Sequence, residues 1–326
     1  MHIFVEDVCN GDQSCSVSKG SVSMAEFLDQ YGTQEKCHAA LVASRWPQGF
    51  RCPCCGDDRH TTFIRQNRQY WQCFRCRYQT TVTAGTIFEA TKLPLTRWFL
   101  AMHLITQAKN NVSALELKRH LGVRYKTAWL MKHKLLQVMA EREDRRVLDG
   151  RVEIDDAYLG GEKPGKAGRG SENKIPFIVA VQTTDDGQPL LACMSRISFT
   201  KEAMETWANK SLAASARVVS DGLNCFKGIA GDVESHTAIV VGSGRQGVTR
   251  PEFRRVNTVL SNLKTAISGT YHAFKFDKYV HRYLAEVQYR FNRRFNLGSI
   301  LHRLVRAAAV TWPRPESMIG LAEVGG

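Results

Sequence analysis

The sequence predicts an α/β protein: a mixed sheet with flanking helices, preceded by a small cysteine-rich module and an all-helical segment. Three observations predict it. Short apolar runs at residues 151–155, 177–182, 190–194 and 217–220, with a helical pattern at 201–212 before the last, give the order strand, strand, strand, helix, strand. Ahead of them stand two Cys-x-x-Cys pairs, Cys52/Cys55 and Cys73/Cys76, separated by 17 residues. Between the pairs and the sheet, residues 95–142 carry apolar positions at helical spacing, broken near Gly122.

Bulk properties narrow the class. At 326 residues and 43% hydrophobic content the chain can bury a sizeable core, and its length suits two or three domains. A formal charge of +14 and a pI near 9.4 point to a polyanionic partner, nucleic acid first, because Lys and Arg on phosphates gain affinity by releasing counterions. On charge alone, a soluble protein that is merely basic is the other reading. A membrane surface fits less well, since no basic amphipathic helix stands apart and no run reaches the roughly 18 apolar residues of a spanning helix. The first twenty residues hold Glu6, Asp7 and Asp12 without a basic start and apolar run, so they do not read as a signal peptide, and a cytoplasmic protein is expected. There, ten cysteines speak for metal ligands or buried thiols over disulfides.

In chain order, residues 1–23 read as a polar tail and 24–48 as a lead-in helix, on Phe27, Leu28, Tyr31 and Leu41. Residues 49–85 form the cysteine module. Each Cys-x-x-Cys turn offers two thiolates from one side, and a hairpin between the turns brings the pairs together, so Cys52, Cys55, Cys73 and Cys76 suit one tetrahedral zinc. Four thiolates leave no open position, which makes that zinc structural. Cys54 is an alternative to Cys52 or Cys55. Arg51, Arg59, Arg65, Arg68, Arg75 and Arg77 suit the module to a DNA backbone; a solvated charged face is the other reading. Residues 86–148 follow as a helical DNA-binding segment. Pro94 opens a helix, residues 113–120 make a short one, Gly122 lies in a turn, and 124–142 make a longer one. This is a helix-turn-helix pattern whose second helix would expose Arg124, Lys126, Thr127, Lys132 and Lys134 to the major groove. Such helix pairs are as often packing elements.

Residues 149–312 are read as the sheet domain and 313–326 as a tail without functional signal. Asp155 ends the first strand and Asp221 the fourth, and a helix over 256–264 carries Asn257 and Lys264. A lone Asp at a strand end is more often a turn cap. Glu153, Asp156 and Glu234 are the nearest alternatives as metal ligands. The run 163–170 is Gly-rich and basic, a loop suited to DNA phosphates. In the long helix over 274–294, Glu286, Arg290 and Arg293 share one face; an exposed ion pair is the plain reading.

The motif Val152-Glu-Ile-Asp155-Asp-Ala-Tyr-Leu-Gly-Gly161, with Asn262-Leu-Lys264, Gly269-Thr-Tyr-His272 and the stretch from Tyr283 to Arg294, resembles the insertion-sequence-1595 family of bacterial transposases, over about Met24 to Arg303. The resemblance implies an RNase H-like domain of the Asp-Asp-Glu/Asn type. It further implies a DNA transposase that cleaves element ends and transfers strands, with two Mg²⁺ or Mn²⁺ ions on Asp155, Asp221 and Asn257 and with Lys264 beside them. Hard oxygen ligands suit such ions. The third position, Asn257, departs from the usual carboxylate; it lies 36 residues after Asp221 and seven before Lys264, and part of the family shares it. Glu286, Arg290 and Arg293 match a family pattern that implies placement near the active site or its DNA. Implied partners are double-stranded DNA, as terminal inverted repeats and target, and further copies of the chain on that DNA, in the bacterial nucleoid. Two rivals are a transposase-derived DNA-binding protein without catalysis and a metal-dependent nuclease without strand transfer.

Overall fold

Helix signals at the start of the chain are local and complete. Ser23 and Glu26 form a reciprocal capping box on α1 (Met24–Tyr31), and Thr33 caps α2 (Gln34–Arg45), so the lead-in is two helices where one is expected. The computed structural model describes residues 20–160, 174–240, 250–271 and 276–321. After α2 come the antiparallel strands β1 (His60–Arg65), β2 (Arg68–Cys73) and β3 (Gln79–Thr80). Trp71 of β2 is buried against Trp46 and His38, which fastens this small sheet to α2.

The helical segment follows as α3 (Leu95–Gln107), α4 (Ala114–Leu121) and α5 (Tyr125–Glu143). Ser113 caps α4, and Gly122, at φ 63°, takes the left-handed conformation that ends it without a Cβ penalty. Leu117, Leu121, Ala128, Met131, Leu135 and Met139 join these helices into one apolar cluster with Phe27, Trp71 and Trp98.

Next stands a five-stranded sheet of β4 (Arg151–Leu159), β5 (Ile175–Thr183), β6 (Pro189–Arg196), β7 (Arg217–Asp221) and β8 (Ser235–Ile239), in the order β6-β5-β4-β7-β8. The first three strands meander antiparallel; β7 runs parallel to β4 and β8 parallel to β7. This mixed sheet, with helices on both faces, is the RNase H-like arrangement. One face packs on α6 (Lys201–Ser211) through Val152, Ile154, Met204 and Ala208. The other packs on α7 (Arg254–Ser268) and α8 (Phe276–Phe291) through Phe177, Val179, Val256, Leu260 and Leu284.

An edge strand such as β6 exposes unpaired backbone groups. Two amides cover them here, Gln288 in the last turn of α8 and Asn292 just past its end. Asn292 both accepts from the Ala192 N–H at 2.7 Å and donates to the Ala192 carbonyl at 2.9 Å, and Gln288 accepts from the Met194 N–H at 2.8 Å. Beyond α8, α9 (Leu297–Val310) leaves the sheet and buries Ile300, Leu301, Leu304 and Val305 in the helical cluster of the N-terminal half. The last helix, α10 (Glu316–Leu321), lies where a tail is expected and packs on α5.

Candidate active site

Glu153 and Asp155 are two residues apart on β4, so both face α7. They act differently. Glu153 is buried and accepts hydrogen bonds from the backbone N–H groups of Arg255 at 2.9 Å and Val256 at 3.0 Å, while Arg151 pairs with it at 2.7 Å. Those N–H groups belong to the first turn of α7, where a helix has unpaired donors and its positive dipole end. Glu153 is therefore a helix cap, and its expectation as an alternative metal ligand is corrected. The cap fixes the start of the helix that carries Asn257, the next residue after Val256.

Asp155 lies one step beyond Ile154, which pairs with Ser220 of the parallel strand β7, and Asp221 is one step beyond Ser220. Asp155 thus lies mid-strand, since β4 runs on to Leu159 where an end at Asp155 was expected, and it stands beside Asp221 at the C-terminal end of β7, where the parallel pairing stops. Asp221 also accepts from the Leu223 N–H at 3.1 Å, an Asx turn that holds its side chain. Asp156 joins them, and one carboxylate oxygen from each of Asp155, Asp156 and Asp221 lies within 4.8 Å of the others. Burial pushes the Asp155 pKa up to about 7, with Asp156 and then Asp221 adding like-charge repulsion. The Asp156 N–H, at 2.9 Å, and the Lys264 ammonium act in the opposite sense. Lys264 is exposed, seven residues from half-buried Asn257 on the same face of α7. Three hard-oxygen donors with surplus negative charge fit a divalent cation. Glu234 stands just before β8, whose other end, Ile239, pairs with Asp221, so it lies at the far end of the sheet. That alternative is also corrected. The basic Gly-rich run 163–170 lies outside the described residues.

The second metal-binding arrangement is closed. The sulfurs of Cys52, Cys55, Cys73 and Cys76 all lie within 4.8 Å of one another, with Cys52–Cys76 at 3.6 Å and Cys55–Cys73 at 3.5 Å. A tetrahedron with Zn–S bonds of about 2.3 Å places its sulfurs about 3.8 Å apart, so the four fit one zinc. Cys54 is exposed and outside the cluster.

Residues 32–79 match the transposase zinc-ribbon domain and residues 147–292 the ISXO2-like transposase domain, both of one insertion-sequence family. The chain belongs to the insertion-sequence-1595 transposase family. It is also similar, at 27% identity over 179 residues, to an uncharacterized protein in the transposable element ISH50 of Halobacterium salinarum; the match covers 49% of this chain and 58% of that relative. Among the described residues of the transposase no helix is long and apolar enough to cross a membrane.

The basic residues expected at DNA divide in the transposase. Arg124 and Lys126 are exposed at the start of α5, Lys126 paired with Glu316 of α10 at 2.8 Å. Lys132 is not at the surface. Its side chain is 2% exposed, donates to the Val112 carbonyl and to Tyr271 Oη, and lies 3.5 Å from Glu286. Lys134 is also turned inward, donating to the Ile87 carbonyl. Helical spacing held the signal, because Ala128, Met131, Leu135, Leu136 and Met139 mark a buried stripe that includes position 132.

Glu286 and Arg290 lie on α8, whereas Arg293 lies just past its end at Phe291, short of the helix expected to reach 294, and the burial of Glu286 and Arg293 replaces the exposed pair of the plain reading. Glu286 accepts a hydrogen bond from the Tyr271 hydroxyl at 2.7 Å, Arg290 donates to the Ala108 and Asn110 carbonyls, and buried Arg293 pairs with Glu143 of α5. They join the sheet domain to the helical segment. Sequence reasoning missed Glu143, Tyr271, Gln288 and Asn292, whose tertiary partners lie 15 to 150 residues away.

Proposed function

We propose that this transposase cuts DNA at the ends of a mobile element and joins the resulting 3′ ends to target DNA. The observation that carries it is the convergence of Asp155, Asp156 and Asp221 on adjacent parallel strands, beside the helix of Asn257 and Lys264. Asp155, Asp221 and Asn257 would hold two Mg²⁺ or Mn²⁺ ions, which when bound activate the attacking oxygen and stabilise the leaving one. Asp156 stands ready as a further ligand in the same cluster. The exposed Lys264 ammonium meets the phosphate next to the cut bond. Arg124 and Lys126, with the zinc ribbon, hold the duplex, and two or more copies pair the ends on the nucleoid.

The test is a duplex carrying the element's terminal repeat, incubated with a supercoiled target and Mg²⁺ or Mn²⁺. Cut 3′ ends and joined products are expected. Asp155→Ala and Asp221→Ala should abolish both with end binding nearly unchanged, because phosphate and base contacts lie mainly elsewhere. Asn257→Ala should lose most activity, and Asn257→Asp should retain some, since an amide oxygen ligates without charge. Cutting without joining would replace this reading with that of a nuclease. Full activity in Asp155→Ala would remove the proposed site.

A further inference from the structure

We infer that the β1–β2 hairpin of the zinc ribbon is a sequence-reading arm that enters the major groove of the element's end, with Gln66 and Asn67 at its tip. The inference rests on the proposal that the protein acts on DNA ends. Its first support is the turn. Arg65 pairs with Arg68, which leaves a two-residue loop, and Gln66 and Asn67 have φ of 50° and 57°. Left-handed backbone at both loop positions is the type I′ turn, whose twist matches the strands and whose favoured sequences are Asn-Gly, Asp-Gly and Gly-Gly. Gln at the first position is costly for an L-residue there. The turn would be better made by glycine, so the two amides serve something other than the turn.

Charge is the second support. Arg65 and Arg68 stand directly opposite across the ladder, where like charges repel. Both are exposed, and among the described residues neither has a carboxylate partner. The acids of the module lie elsewhere: Asp57 pairs with Arg59 and Asp58 with Arg51, both before β1. A polyanion at the tip relieves the repulsion that the fold itself leaves standing. Ile64, 75% exposed beside this pair, has no core to enter.

Shape is the third. The hairpin is stiff at its base, where Trp71 is buried and Cys73 belongs to the four-sulfur cluster, and along its length, where Phe63 and Tyr70 stack at 5.4 Å and 11°. From the His60–Cys73 pair to the Arg65–Arg68 pair are five residue steps, about 17 Å at the usual rise. A two-stranded ribbon fits the major groove, whose depth is roughly 8.5 Å. There Gln and Asn pair bidentately with adenine, while Arg reaches phosphate or guanine.

Two variants test this without disturbing the fold. Gln66→Gly/Asn67→Gly keeps the turn and removes both amides; Arg65→Ala/Arg68→Ala removes a repulsion. Both should keep the Tm and zinc content of the parent chain. Binding is read by fluorescence anisotropy on a duplex carrying the terminal repeat and on a scrambled duplex of equal length, between about 50 and 200 mM salt. The glycine variant should lose about tenfold on the terminal duplex and nothing on the scrambled one, the size expected for one or two base contacts. The alanine variant should weaken both duplexes and reduce the slope of log affinity against log salt by about 2, one per lost phosphate contact. Equal loss on both duplexes in the glycine variant, or no loss in either variant, overturns the arm. A parent chain that cuts the end while both variants bind normally sinks the arm alone. A parent chain that neither binds nor cuts it sinks the transposase reading with it.

Discussion

Asp155 sits where burial and two like-charged neighbours oppose its ionisation, and its pKa of about 7 has a consequence for stability. The folded chain keeps the proton there up to about pH 7, whereas an unfolded chain releases it near pH 4. Between those values the folded state holds more protons, so this group's contribution is fully present below about pH 4 and is lost as pH rises to about 7. Asp155→Asn should therefore raise the Tm of the metal-free protein at pH 8, by about 2–4 °C for roughly 1 kcal/mol, while abolishing cleavage. Thermal melts of both proteins in chelator at pH 5 and pH 8 check it, and the gain should shrink at the lower pH. A variant less stable than the parent at pH 8 would mean that Asp155 is held by a hydrogen bond stronger than its repulsions. The residue was legible in sequence through its place on an apolar strand, although that strand runs on to Leu159. Its charge state was not, because Asp221 comes close only when β7 docks beside β4.

At the scale of elements, α7 carries Asn257 and Lys264 but is aimed by Glu153, which caps its first turn from the neighbouring strand. Glu153→Ala leaves two buried or half-buried N–H groups without their charged acceptor and should cost about 2–4 kcal/mol, the worth of two charge-assisted hydrogen bonds. Glu153→Gln should recover part of that stability. Because buried Glu153 offers no group to DNA, denaturant melts should shift while affinity for end DNA stays level and the rate of cleavage falls. The α5–α8 seam has its own test. Lys132→Met leaves Glu286 buried and unpaired, a loss of about 3–5 kcal/mol, and adding Glu286→Gln should restore much of it. Were Lys132 a DNA contact, Lys132→Met would instead keep its Tm and flatten the salt dependence of binding. Helical periodicity carried this distinction: position 132 falls within the apolar stripe of α5, so its partner had to be internal.

Across the whole molecule the zinc ribbon is not an appendage. Cys52, Cys73 and Trp71 lie in one apolar cluster with α1 to α5 and with α9, whereas the two faces of the five-stranded sheet form separate clusters. Removing zinc should therefore loosen more than the ribbon. Since metal binding in such modules is folding free energy, a strong chelator should shift the emission of Trp46 and Trp71 and release hydrogen-exchange protection in α2, α3 and α9. Protection in β4 and β5 should persist. Simultaneous loss in the sheet would show that the clusters unfold as one cooperative unit.

Sequence by itself determined what depends on short range and on chemical type. Two Cys-x-x-Cys turns specify four thiolates, period-two runs reaching Asp155 and Asp221 specify the strands that carry those carboxylates, and Ser113 with Gly122 specifies a helix and its stop. Tertiary structure alone decided which like residues do unlike work. Glu153 caps a helix while Asp155, two positions on, faces the carboxylate cluster; Asp156 joins that cluster and Glu234 does not; Lys126 stays at the surface while Lys132 is sealed in the seam. Alternation and helical spacing say which face a side chain leaves from. What it meets there is set by elements 15 to 150 residues away, whose approach is fixed by burying apolar faces together.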